Sequence, residues 1–369
     1  MARNLHIFRL NIILLFCALF FLLFSFVSTA VAATEPNSME LSLDRAIYLA
    51  INNSESLKKA QQEIERTEAL RKYRSEKLDF IPTSAPGTAL TEIPWSSFLA
   101  ADLTWRMSQK SFNGEQDKVV LDVCKKYWDV IQKQEKLKAA NLASKSAEYD
   151  LNKARASFKL GLLSSVELQQ VEAQIAGVTV ALATARNDLD NAFAALNQTI
   201  GLSSDQRPIL MDSAQFIPLE VSDLDAKVRQ IVSECPSVWL SQEKVTMQKY
   251  LADMVFYTGE YRPYEARRAE ITQASLDATN TVELFEQLTR SLYFNLKSLE
   301  EAYTYAQDGM KVAKTNLEIA QLKYRLGMIT LGELTAKEKA VAEAEAKVIE
   351  VACQYSYAKL AFQKPWASL

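Results

Sequence analysis

The chain has 369 residues, with 42 basic and 45 acidic side chains, a net charge of −3 and one histidine. That mildly acidic balance gives no electrostatic footprint for nucleic acid. The histidine, His6, lies in an apolar leader. The rest of the chain therefore lacks His-based acid–base chemistry, Ser–His and Cys–His nucleophile pairs and His metal sites.

Arg3 and Arg9 form a basic start, Ile12 to Val27 an apolar run, and Ala30-Val31-Ala32 a small-residue cleavage site. Residues 1–32 are thus predicted to be an export signal peptide, the alternative being an uncleaved membrane anchor. Loss of Arg3 and Arg9 takes the charge from −3 to −5. Three cysteines remain, Cys124, Cys235 and Cys353, too few and too far apart for a disulfide scaffold.

Leu41 to Leu78 reads as a first helix, with Asp44 in its opening turn and Ala46, Leu49, Asn53, Leu57 and Ala60 on one face. Asp79 to Pro94, with Pro82, Pro86 and Gly87, reads as a loop. Leu99, Ala101, Leu103, Trp105 and Met107 then alternate with mostly polar residues, which predicts a strand of a length suited to a membrane barrel. The alternative is an edge strand or amphipathic segment of a soluble protein.

No proline occurs between Pro94 and Pro208 or between Pro263 and Pro365, so very long helices are allowed there. Glu115 to Leu160 predicts a rod of roughly 70 Å. Leu168, Val171, Ile175, Val178, Leu182, Ala185, Leu189, Ala192 and Leu196 follow at spacings of three and four, a coiled-coil seam. Leu334, Val341, Ala344, Val348, Val351, Tyr355, Ala358 and Phe362 repeat it, with Lys337 as a defect. Gly201 ends the first hairpin and residues 202–220 read as a linker.

The chain also repeats itself. Phe158 to Leu168 returns as Tyr324 to Leu334, pairing Gly161 with Gly327, Ser164 with Thr330 and Glu167 with Glu333. A looser match pairs Leu43 with Leu224, Asp44 with Asp225, Ser56 with Ser237 and Pro82 with Pro263. The fold class expected is mainly α, with long antiparallel hairpins in two tandem repeats, 33–201 and 221–369. In each turn the glycine supplies positive φ, and Ser164 or Thr330 with Glu167 or Glu333 forms a capping box. Leu162, Leu163, Met328 and Ile329 are left as apolar side chains for a partner; the plainer reading is that the turns only close hairpins.

Leu41-Ser42-Leu43-Asp44-Arg45-Ala46 with Asn52-Asn53, Pro82, and two Leu-Gly-x-x-Ser/Thr-x-x-Glu-Leu turns together resemble the TolC-type outer membrane efflux family. The resemblance implies a homotrimer, with a small strand portion forming a barrel in outer-membrane lipid and a helical tunnel in the periplasm. It implies that Gly161, Leu162, Leu163, Ser164, Gly327, Met328, Ile329 and Thr330 meet a periplasmic adaptor protein linked to an inner-membrane pump. Glu333, and with it Glu167, is implied as an entrance or gate carboxylate; Ala336 stands where family members carry a further aspartate. The strand content is lower than the family's, since only Leu99–Met107 reads well. No nucleophile–base pair, metal spacing or phosphate loop is present, so neither enzyme activity nor a cofactor is expected. A channel component and a non-pore coiled-coil scaffold of the envelope both remain open.

Overall fold

The computed structural model describes residues 39–78 and 87–368. The leader 1–32 lies outside the described residues, as does the first half of the loop expected over 79–94. A short strand, β1 (Glu40–Leu41), leads into α1 (Leu43–Asn53) and α2 (Glu55–Ser75). Two long helices follow, α3 (Ala89–Lys159) and α4 (Ser165–Ile200). The second half repeats this course with β2 (Ile209–Leu210), α5 (Leu224–Glu234), α6 (Pro236–Asp253), α7 (Tyr264–Arg325) and α8 (Leu331–Gln363). A 3₁₀ turn, Pro365–Ser368, ends it.

Equivalent signals start and interrupt the two halves. Ser42 caps α1 by accepting from the Arg45 N–H, and Asp223 caps α5 by accepting from the Ala226 N–H. The single helix expected from Leu41 to Leu78 is broken at Ser54, which ends α1 and caps α2 through the Leu57 N–H. The second half breaks at Cys235, with Pro236 at the first position of α6, where its missing N–H costs nothing. β1 and β2 pair in parallel, Glu40 with Ile209 and Leu41 with Leu210, and so join the starts of the two halves.

The strand expected at Leu99–Met107 is corrected: these residues lie inside α3, which at 71 residues is about 105 Å long. Ala101 and Leu103 are both buried, yet two residues in a helix are about 200° apart. α3 is covered there from two sides. Thr67 on α2 bonds Ser108 at 2.9 Å and Arg71 on α2 pairs with Asp102, while Arg106 pairs with Glu243 on α6 at 3.0 Å. A helix buried on opposite faces produces an alternating pattern, and the Ala-, Leu- and Met-containing segment favours helix. The helix also takes in Ala89 to Pro94 from the expected loop. Among the described residues, β1 and β2 are the only strands.

α3 packs along α4 on one side and α8 on the other, and α8 packs along α7. The order α4–α3–α8–α7 is a single layer, and α4 and α7 share no extended packing among the described residues. The predicted seam of α4 faces inward along its length, and Ala192 and Leu196 are fully enclosed. Two cores sit at the base of the hairpins. One joins α1 to Val123, Tyr127, Phe193, Leu196 and Cys353, and the other joins α5 to Phe285, Leu296, Tyr355 and Phe362.

The linker is held by both halves. Tyr127 donates to the Leu41 carbonyl at 2.9 Å, and the Asp212 N–H donates to the Tyr127 oxygen at 3.2 Å. In the second half the Leu219 N–H donates to the Tyr355 oxygen at 2.7 Å, and Tyr355 donates to Glu300 at 3.1 Å. Gly201 has φ +77°, and a Cβ there would lie 2.8 Å from the Asn53 side chain. That contact lets Asn53 donate to the Gln198 and Thr199 carbonyls at the end of α4.

All three described cysteines are buried and free. Burial pushes the Cys124 thiol up to about 11 and the Cys353 thiol up to about 12. Because the thiolate is the reactive form, alkylation of the native protein near neutral pH is expected to be negligible until denaturant is added. Mass spectrometry after iodoacetamide treatment checks this.

Candidate functional site

The site has two parts, the hairpin tips and the free edges of the layer. At the first tip Gly161 has φ +71°; its N–H donates to Phe158 at 3.0 Å and the Leu162 N–H donates to Ser157 at 2.9 Å. At the second tip Gly327 also has φ +71°, and the matching bonds run from Gly327 to Tyr324 and from Met328 to Lys323, both 2.9 Å. Both are Schellman closures, whose positive φ an L side chain adopts only with strain.

The returning helices start with full capping boxes. Glu167 accepts from the Ser164 N–H at 2.7 Å while the Glu167 N–H donates to Ser164 Oγ at 3.2 Å. Glu333 accepts from the Thr330 N–H at 2.8 Å, and its own N–H donates to Thr330 Oγ1 at 3.3 Å. The backbone N–H of Ser164 and its hydroxyl hold the Glu167 carboxyl below its ordinary range. The Thr330 N–H and hydroxyl do the same for Glu333, with help from the charge of Lys153.

A lowered folded-state value means that the capping contribution is present above the ordinary carboxylate range and is lost as pH falls through the folded value. Amide protection in the first turns of α4 and α8 is therefore expected to fall on acidification. Ser164→Ala and Thr330→Ala are each expected to weaken those turns by about 1 kcal/mol. Hydrogen exchange corrected for intrinsic rates reads both effects.

Leu162 and Met328 project into solvent as expected, at 76% and 67% exposure. Leu163 and Ile329 do not: both are partly buried. Leu160, Val166 and Leu326 are exposed at the tips and were not singled out from the sequence. The repeat was the available signal for two of them, since Leu160 and Leu326 hold equivalent places before the glycines. The tips are also staggered. A Cβ on Gly332 would lie 3.0 Å from Tyr149, so α3 continues about 15 Å past the level at which α8 begins.

The edges differ in chemistry. The outer face of α7 exposes Tyr305, Val312 and Ile319, and Leu326 just past its end, at seven-residue intervals. The outer face of α4 exposes small residues, Ala173, Ala176, Gly177 and Ala183, with Val180 among them. A heptad-spaced apolar stripe facing water is the signature of an uncovered coiled-coil seam.

A single layer of long antiparallel helices of this kind is the helical-tunnel fold of outer-membrane channels. The solved Campylobacter jejuni CmeC outer membrane channel superposes with a TM-score of 0.63, at 16% identity, covering 88% of this chain and 85% of that one. The open-state Neisseria gonorrhoeae MtrE outer membrane channel gives 0.60 at 15% identity, with 88% of each chain covered. VceC, an outer membrane protein of Vibrio cholerae, gives 0.59 at 11% identity, covering 88% of this chain and 95% of that one. In sequence, residues 99–202 match the family model "Outer membrane efflux protein". The outer membrane protein TolC of Vibrio cholerae serotype O1 is 25% identical over 122 residues, 33% of this chain. That match spans 28% of the TolC relative's own length. The resemblance of this chain to the TolC-type outer membrane efflux family thus holds in sequence over the first hairpin and in fold over nearly the whole chain. The matched family model and the curated relative are outer membrane proteins, and the superposed structures show that the chain shares their fold.

Proposed function

We propose that the chain is the outer-membrane channel component of an export system. It passively conducts substrates that an inner-membrane pump delivers through a periplasmic adaptor. The observation that carries this reading is the open layer α4–α3–α8–α7 with two apolar but unlike edges. The bulky stripe of α7 from one copy fits the small-residue face of α4 from the next, a heterologous contact that closes on itself after a few copies. Three copies make a ring of helices around a bore, with the glycine turns at one end.

In this reading residues 1–32 are removed on export, and 33–201 and 221–369 are two repeats joined by 202–220. Leu162 and Met328, with Leu160 and Leu326, dock the adaptor, and the first tip, which reaches further, makes the larger share of that contact. Glu167 and Glu333 cap their helices and also place a ring of negative charge at the entrance, which favours cations. Sedimentation of the mature chain in mild detergent tests the assembly. A particle with the mass of three chains supports the reading, and a stable monomer contradicts it.

A second reading, a non-pore coiled-coil scaffold of the envelope, draws on the helical course of Leu99–Met107 where a barrel strand was expected.

A further inference from the structure

Where α3 of the first half packs along α8 of the second, the surface holds an open cleft of about 400 Å³. Lys125, Asp129 and Gln132 reach it from α3, and Gln354 and Tyr357 from α8. Tyr127 is turned into the core shared with α1, and Asp129 lies about 200° further round the helix. The cleft therefore opens on the face of the layer away from α1. Its volume is that of a small-molecule site.

The charges around the cleft are unequally engaged. Asp122 and Lys126 pair with each other at 2.7 Å, and Lys126 also donates to Thr199. Lys133, one turn beyond Asp129, is taken by Asp188 at 2.8 Å. That leaves one cation and one anion, Lys125 and Asp129. They stand four residues apart, the spacing at which ion pairs close on a helix, yet no pair forms between them among the described residues. Lys125 Nζ lies instead 5.9 Å from the centre of the Tyr357 ring. That is the outer limit of a cation–π contact, weak enough to give way to a carboxylate.

The wall adds a donor. Trp128 is 6% exposed, and its Nε1–H is buried without an acceptor among the described residues. Buried donors are nearly always bonded, so an orphan in the wall of a cleft points to an acceptor brought from outside. One cation, one anion and one orphan donor beside two aromatic rings match a zwitterion that carries an apolar group. We propose that the cleft binds a free amino acid, or a close analogue, with an aromatic side chain. Its carboxylate meets Lys125 and the Trp128 Nε1–H, its ammonium meets Asp129, and its ring lies along Tyr357. Bound there, it bridges the two halves and stabilises their contact. Every group belongs to one chain, so the inference stands apart from the channel reading.

The test titrates the full mature chain in detergent with L-phenylalanine, read by calorimetry and by Tm. A dissociation constant of about 1 mM or lower is expected, together with a rise in Tm. 3-Phenylpropionate lacks the ammonium and phenethylamine lacks the carboxylate. Each is expected to bind about tenfold more weakly or worse. Asp129→Asn is expected to weaken phenylalanine about tenfold and to spare 3-phenylpropionate, so that the two bind alike. Lys125→Met is expected to bring phenylalanine level with phenethylamine in the same way. Both side chains reach solvent, and unchanged circular dichroism checks that the variants fold. No binding of phenylalanine, or binding that neither substitution reduces, overturns the proposal. Phenethylamine or 3-phenylpropionate binding as tightly as phenylalanine to the unsubstituted protein overturns it equally, since one charge would then suffice.

Discussion

Val312→Asp combined with Ile319→Asp is expected to leave a folded monomer and to abolish assembly. Both side chains face solvent in the single chain, so the substitutions disturb neither core. In the proposed closed ring both would lie in an apolar seam. A carboxylate buried there without a partner costs about 3 kcal/mol or more, and each interface takes two. Circular dichroism is expected to be unchanged while the sedimentation mass falls from three chains to one. A variant that stays trimeric places the contact somewhere other than the outer face of α7. Asparagine at the same positions is expected to weaken assembly less, because a neutral amide costs less to bury than a charge.

Glu92→Ala is the second substitution with a large expected effect. It leaves the Gly87 and Phe256 N–H groups without acceptors in a closed site, at about 1–3 kcal/mol for each donor. The loss is local, confined to the chain around Gly87 and Thr88 and to the turn from Met254 to Pro263. Hydrogen exchange is expected to rise there by tenfold or more, with the hairpins unaffected, since about 1.4 kcal/mol corresponds to one factor of ten. Unchanged exchange in both segments would mean that Glu92 is not what holds them.

The hairpins were legible because their signals are local and doubled. Gly161 and Gly327, each followed by a capping box, mark reversals that only a few residues can make, and the seam from Leu168 to Leu196 fixes the face that α4 turns inward. Three features were not legible, each for a physical reason. Leu99 to Met107 alternates because α2 and α6 cover α3 from opposite sides, and a two-sided helix imitates a strand in one dimension. Glu92 reads as a loop charge beside Pro94, since nothing in its neighbourhood shows that two distant N–H groups converge on it. The edge of α7 is hidden because Tyr305, Val312 and Ile319 have the same period as a core seam, and a sequence does not distinguish a seam covered by its own chain from one left open. Leu162 and Met328 are exposed at the turns, whereas Leu163 and Ile329, which have the same spacing in the repeat, are partly buried, a difference that spacing alone does not show.

The most direct test of the central claim, that this chain forms a conduit, is conductance across a planar bilayer with the mature protein purified in detergent and confirmed as folded. Discrete steps of one reproducible size are the predicted result, and they should disappear in the Val312→Asp, Ile319→Asp variant. Silence from a well-folded trimeric sample would contradict the channel and leave a scaffold that shares the efflux family's helical body.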